Sequence, residues 1–320
     1  MTDAASRFQS EFFAIETLAD GVYAAVGPQD GLCHSNAGIV DLGDRTLVFD
    51  TLTLPSYGEA LARACRELTG REPTWIALSH FHSDHWLGNQ AFAYGTPIIV
   101  THDMLPPILD SMSQYEELPG ELEEFQGQID ELAATCAAEP DRKKRAGIET
   151  NLARYRALHA EGATLRVIHP NTAFAGRLHL IGSERSVDLI EVKNAHTVSD
   201  VYLSVADAKL VFMGDLGFFD TIPFLMYADP LGWIEALQEL EASDAIVFVP
   251  GHGVVADTDR VRTSRECIEA VVSIVREAQT SGEVLEESLR KRLPEPFRSW
   301  AEGRTWIQEQ LEAVGKLLDR

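Results

Sequence analysis

The chain has 320 residues, 45% hydrophobic and 24% charged, a composition that excludes a disordered or fibrous protein and allows a sizeable core. Its 50 acidic side chains against 27 basic ones leave a formal net charge of −23, which would repel RNA or DNA at long range and excludes them as expected partners. No run of about 18 apolar residues is present, and the N-terminal MTDAASRFQSEFF lacks the basic segment and apolar run of a secretory signal, so the expectation is a cytoplasmic protein without membrane association.

In chain order, short apolar runs at Val22 to Val26, Ala37 to Val40, Leu47 to Phe49, Trp75 to Leu78 and Ile98 to Val100 predict strands. Between them, Tyr57 to Leu68 carries helical spacing after Pro55-Ser56, and Asp84 to Phe92 reads as a second helix. Leu118, Leu122, Phe125, Ile129, Leu132 and Cys136 then recur at steps of three and four, as do Ile148, Leu152, Tyr155 and Leu158 after a break at Glu139-Pro140, which predicts a helical hairpin. Strand-like runs resume at Leu178 to Ile181, Val187 to Val192, Val201 to Val205, Leu210 to Met213 and Ile246 to Val249. Helices are expected over Val261 to Gln279, Glu283 to Arg292 and Trp300 to Leu318. Interleaved strands and helices make an α/β protein. With no low-complexity linker, one domain over 1–320 is expected, carrying a helical insertion at about 103–162 and a helical C-terminal segment at about 258–320. Cys33, Cys65, Cys136 and Cys267 are too scattered for a disulfide framework or a thiolate zinc site.

The chemistry concentrates in Ser79-His80-Phe81-His82-Ser83-Asp84-His85, where three imidazoles and a carboxylate fall within six positions as a strand ends. Residues two apart on an extended segment share a side, so His80 and His82 can converge on one ion, and the following turn can carry Asp84 and His85 toward a second. Such donors suit zinc, and iron or manganese accept them too. His196 in Asn194-Ala195-His196-Thr197, Asp215 in Met213-Gly214-Asp215 and His252 in Pro250-Gly251-His252-Gly253 each sit where a strand ends. Phe219 and Tyr227, among the aromatics after Asp215, are candidates for a substrate pocket or for core packing.

The order HxHxDH, AHTxSD, GD, GHG resembles the metallo-β-lactamase superfamily in its glyoxalase II and lactonase-like branch, over nearly the whole chain. That resemblance implies a four-layer αβ/βα sandwich holding two zinc ions, His80, His82 and His196 binding one, Asp84, His85 and His252 the other, and Asp215 bridging them. It implies also that Asp50 orients a histidine ligand and that His34 neighbours the site. The activity implied is hydrolysis of an ester, thioester or lactone by a hydroxide shared between the metals, with Asp84 handling the proton. Other readings are a mononuclear iron oxidoreductase resembling the persulfide dioxygenases, and a β-lactam or small phosphodiester hydrolase. The expected partner is a small-molecule substrate, and the helical insertion serves as a lid or as the surface of a homodimer.

Overall fold

The computed structural model describes residues 8–28, 35–92, 95–302, 304 and 307–319. Its strands form two sheets. The first holds β1 (Ala14–Ala19), β2 (Val22–Val26), β3 (Ala37–Asp41), β4 (Thr46–Phe49), β5 (Trp75–Ala77), β6 (Ile98–Thr101) and β7 (Thr172–Phe174) in sequence order. Its first four strands pair antiparallel, and β4 through β7 pair parallel. The second sheet holds β8 (Arg177–Ile181), β9 (Ser186–Lys193), β10 (Ser199–Val205), β11 (Leu210–Phe218) and β12 (Val247–His252), antiparallel except for the parallel pair β11 and β12.

Period-two alternation divides the core. Leu210 and Phe212 of β11 and Val201, Leu203 and Val205 of β10 join the side chains of the first sheet. Phe212 meets Phe49 with ring centroids 6.3 Å apart. Val211, Met213 and Phe248 point the other way, onto α5 (Pro230–Glu241) and α6 (Thr258–Ser281). With α1 (Pro55–Thr69) buried against the first sheet, the layers run helix, sheet, sheet, helix, the αβ/βα sandwich expected from the sequence.

Three helices lie between β6 and β7: α2 (Leu105–Glu116), α3 (Leu122–Ala138) and α4 (Arg142–Gly162). The expected hairpin is α3 and α4, with Asp141 capping α4 by accepting from the backbone of Lys143 and Lys144. Two expectations need correction. Asp84 to Phe92 is not an α-helix but two 3-10 turns, Ser83–His85 and Leu87–Ala91. The segment after β4 competes for their backbone, since Thr51 N donates to His85 O (2.8 Å) and Gly88 N to Leu52 O (3.3 Å). The helix expected over Trp300 to Leu318 is divided into α8 (Phe297–Ala301) and α9 (Ile307–Leu318) because Glu302 is extended. Both follow α7 (Leu285–Arg292). Cys65, Cys136 and Cys267 are buried free thiols, and Cys33 lies outside the described residues. Among the described residues no helix is long and apolar enough to cross a membrane.

Buried Asn36 joins the edges of the two sheets. Its Nδ2 donates to Pro250 O (2.9 Å) and Gly253 O (2.8 Å), and its Oδ1 accepts from Gly27 N (3.0 Å). Asn36→Ala strands three backbone groups together and is expected to cost about 3 kcal/mol of folding stability, read as a shift in denaturant midpoint. A cost below about 1 kcal/mol would mean that these groups find other partners.

Candidate metal centre

The ends of β4, β5, β11 and β12 meet at one edge of the sandwich, and seven side chains converge there. His80, His82, His196 and Asp215 form one group and Asp84, His85 and His252 another, the ligand atoms within each lying inside 4.8 Å of one another. Asp215 groups with the first three histidines by proximity, and its carboxylate reaches the second group as well. Its carboxylate lies 3.5 Å from His80 Nε2, 3.4 Å from His196 Nε2, 3.1 Å from His85 Nε2 and 3.3 Å from His252 Nε2. Asp84 stands 3.6 Å from His85 Nε2 and 3.4 Å from His252 Nε2.

Local backbone explains the convergence. Asp50 follows β4 at φ 62°, a conformation costly for a non-glycine residue, and three bonds hold it there. Its carboxylate accepts from Ser79 N (2.7 Å) and Ser79 Oγ (2.7 Å) and lies 2.8 Å from His85 Nδ1, so it orients His85 and fixes the turn out of β5. On the other sheet, Thr197 N and Oγ1 donate to the buried Asp200 carboxylate, each at 2.9 Å, which holds the loop bearing His196. Burial pushes the Asp200 carboxyl up to about 7. Gly251 is glycine by necessity: a Cβ there would lie 2.0 Å from Asp215 Oδ1.

The donor set fits metal ions better than it fits itself. His80 Nε2 and His196 Nε2 both face His82 Nδ1, at 2.9 Å and 3.1 Å. A neutral imidazole has one N–H and one lone pair, so three facing nitrogens cannot all be satisfied by one another, whereas a cation accepts every lone pair. His82 Nε2 and His196 Nδ1, on the far sides of their rings, are buried without a hydrogen-bond partner in the protein and are where those protons go when the near nitrogens ligate. His85 Nε2 and Asp215 Oδ1 are buried and close but not aligned for a hydrogen bond, a gap that a cation in the second group fills.

Burial keeps three of these rings neutral against the pull of nearby carboxylates. It takes His80 well below the usual imidazole range, His82 to about 4 and His196 to about 3. Burial acts on His85 too, but Asp215, Asp84 and Asp50 together outweigh it and hold that ring well above its ordinary value. Asp215 is also opposed by burial, yet His252, His85 and His80 hold it well below the usual carboxylate range.

These signs predict the pH dependence of protein stripped of metal. For His80, His82 and His196 the folded state resists protonation, so their contribution is present above the ordinary value of 6.5 and is lost as pH falls. For His85 the contribution is present below 6.5 and is lost as pH rises through the folded value. Stability of the stripped protein should therefore peak near pH 6.5, as followed by calorimetry. A melting temperature that stays constant from pH 4 to 6.5 would contradict this assignment of neutral rings.

A cavity of about 1070 Å³ opens onto His82, Asp84, Asp215 and His252. Phe81, Phe218, Phe224 and Tyr227 supply an aromatic wall, with Tyr227 and Phe224 centroids 5.4 Å and 5.5 Å from the His82 ring. Tyr227 thus stands at the pocket as the sequence suggested, whereas Phe219 is 1% exposed in the core behind β11 and does not form that wall. His34 lies outside the described residues. Sequence reasoning missed further residues lining the cavity: Tyr115 of α2, Asn151 and Arg154 of α4, and Trp300 and Arg304 beyond α7.

The family model described as the metallo-beta-lactamase superfamily matches residues 30–252. No curated protein matches the chain. Among solved structures, the chain is similar to a metallo-beta-lactamase from Pontibacter korlensis at 15% identity and a TM-score of 0.57, over 80% of this chain and 99% of that one. It is also similar to a stereoselective inverting sec-alkylsulfatase from Pseudomonas sp. at 15% identity and a TM-score of 0.64, over 95% of this chain and 50% of that one. At such identities the likeness speaks for the fold.

Proposed function

From the premise that the chain belongs to the metallo-beta-lactamase superfamily, we propose that it is a hydrolase with a dinuclear centre, zinc by preference, acting on an ester, thioester or lactone. The observation carrying this reading is the position of Asp215, buried within 3.5 Å of histidines from both ligand groups. A mononuclear iron oxidoreductase needs one such group. Here the second, Asp84, His85 and His252, offers three donors of its own.

His80, His82 and His196 would hold one ion, Asp84, His85 and His252 the other, with Asp215 shared. Bound there, two dications supply a Lewis-acid pull on the substrate carbonyl and make a water acidic enough to be a nucleophile near neutral pH. Everything else falls to the protein. Asp50 and Asp200 fix the orientation of the histidines, and Asp84, half-buried and lining the cavity, takes up a proton at its carboxylate and returns it to the leaving oxygen or sulfur. Phe81, Phe224 and Tyr227 bind the apolar part of the substrate, and the insertion walls off water.

Metal analysis of protein purified without chelator from medium containing zinc and iron tests the reading. The expected result is roughly two zinc ions per chain and turnover of a lactone or thioester. About one iron, with oxygen consumed in the presence of a persulfide, would replace the hydrolase by the oxidoreductase. Turnover of only a chromogenic β-lactam, a small phosphodiester or a sec-alkyl sulfate would keep the centre and change the substrate class.

A further inference from the structure

A polar contact ties the helical insertion to the ligand turn. Tyr115, in the last turn of α2, donates its phenolic hydrogen to Ser83 Oγ at 2.8 Å, between the ligands His82 and Asp84. Its ring stands edge-on to Trp86, with centroids 5.3 Å apart and planes at 90°. Trp86 is 1% exposed, and its indole N–H donates to Phe81 O at 2.9 Å. One side chain of the insertion therefore braces both ends of the short segment that bears His82, Asp84 and His85.

That segment has little stiffness of its own. Asp84 rides on a three-residue 3-10 turn, whose bonds His85 N to His82 O and Trp86 N to Ser83 O measure 3.1 Å and 3.3 Å. The side chains of His80, His85, His196 and Asp215 are at most 3% exposed, but that of Asp84 is 21% exposed and faces the cavity. Ser35 Oγ holds the Asp84 carbonyl from the sheet side at 2.7 Å, and Tyr115 is its counterpart on the insertion side.

We propose that Tyr115 is a positioning residue: through Ser83 and Trp86 it fixes the turn presenting Asp84, and so sets how tightly the group Asp84, His85 and His252 holds its ion. This rests on the reading of that group as a metal site. It also assigns the insertion a role beyond covering the cavity, since movement of α2 is transmitted to a ligand.

The test is zinc release from zinc-loaded protein into excess chromophoric chelator. Tyr115→Phe keeps the ring on Trp86 and removes the hydroxyl, and Ser83→Ala removes the same bond from its other end. Each is expected to speed release of the more labile ion about 10-fold and leave the tighter ion unchanged, the scale seen when an orienting partner of a ligand is lost. Because one bond is removed twice, the double variant should release no faster than the single ones. Unchanged release in both single variants, or additive effects in the double, would overturn the proposal while leaving the metal centre standing. Failure of the wild type to retain two zinc ions would overturn the metal reading and the proposal with it. Should Tyr115→Phe fail to fold, Ser83→Ala carries the comparison alone.

Discussion

Asp215→Ala should lower kcat/KM by at least about 10³-fold and leave the protein unable to retain its full complement of metal, because the Asp215 carboxylate lies within 3.5 Å of histidines in both ligand groups. The two candidate ligand groups offer two carboxylates, and five imidazoles that bring no negative charge, so two dications bound there would depend on both carboxylates for neutralisation. Losing the buried one removes a donor from the first group and, in the second, a carboxylate 3.1 Å from His85 Nε2 and 3.3 Å from His252 Nε2. Asp215→Asn separates the two losses, since it keeps a neutral oxygen and nearly the same volume. It should retain more metal than alanine yet remain slow. Metal content and kinetics on the same preparations decide the matter, and a variant with full metal and turnover within about 10-fold of wild type would remove Asp215 from the mechanism.

What local pattern alone made legible was whatever lies close together along the chain, while His196, Asp215 and His252 entered through the resemblance of the motif order. His80, His82, Asp84 and His85 occupy one strand end and the turn after it, so their convergence follows from local geometry. The same stretch misled about its own secondary structure, because the backbone of Asp84 to Phe92 is drawn away from helical pairing by Thr51 and Leu52, more than 30 residues earlier. Helix α5 went unread although Asp229-Pro230 is a start signal: Asp229 accepts from Leu231 N and Gly232 N, and proline occupies the first turn. The fully buried β11 shows no polar and apolar alternation, so nothing in its sequence tells Phe218, which stacks 4.8 Å from His252, from Phe219, which faces the core. Tyr115 and Arg154 carry no local mark of function at all. They reach the site only because α2 and α4 fold back over it, a tertiary event that helical periodicity cannot register.

Asp84→Asn should lower kcat on the order of 10³-fold, within the range for loss of a positioned proton carrier, and change KM and folding stability little. The stability argument is one of exposure and partners. Asp84 sits on a 3-10 turn at the cavity face, and the turn is held through the Asp84 backbone carbonyl and Ser83 Oγ, neither of which the substitution touches. An amide keeps an oxygen near His85 and His252 but cannot accept the proton that the carboxylate takes. Assayed with metal in excess, to offset the weaker hold of an amide on the second ion, the variant should bind substrate and fail in turnover, whereas Asp215→Ala loses metal first. Full metal content with kcat within about 10-fold of wild type would assign proton transfer to another group and leave Asp84 a ligand alone.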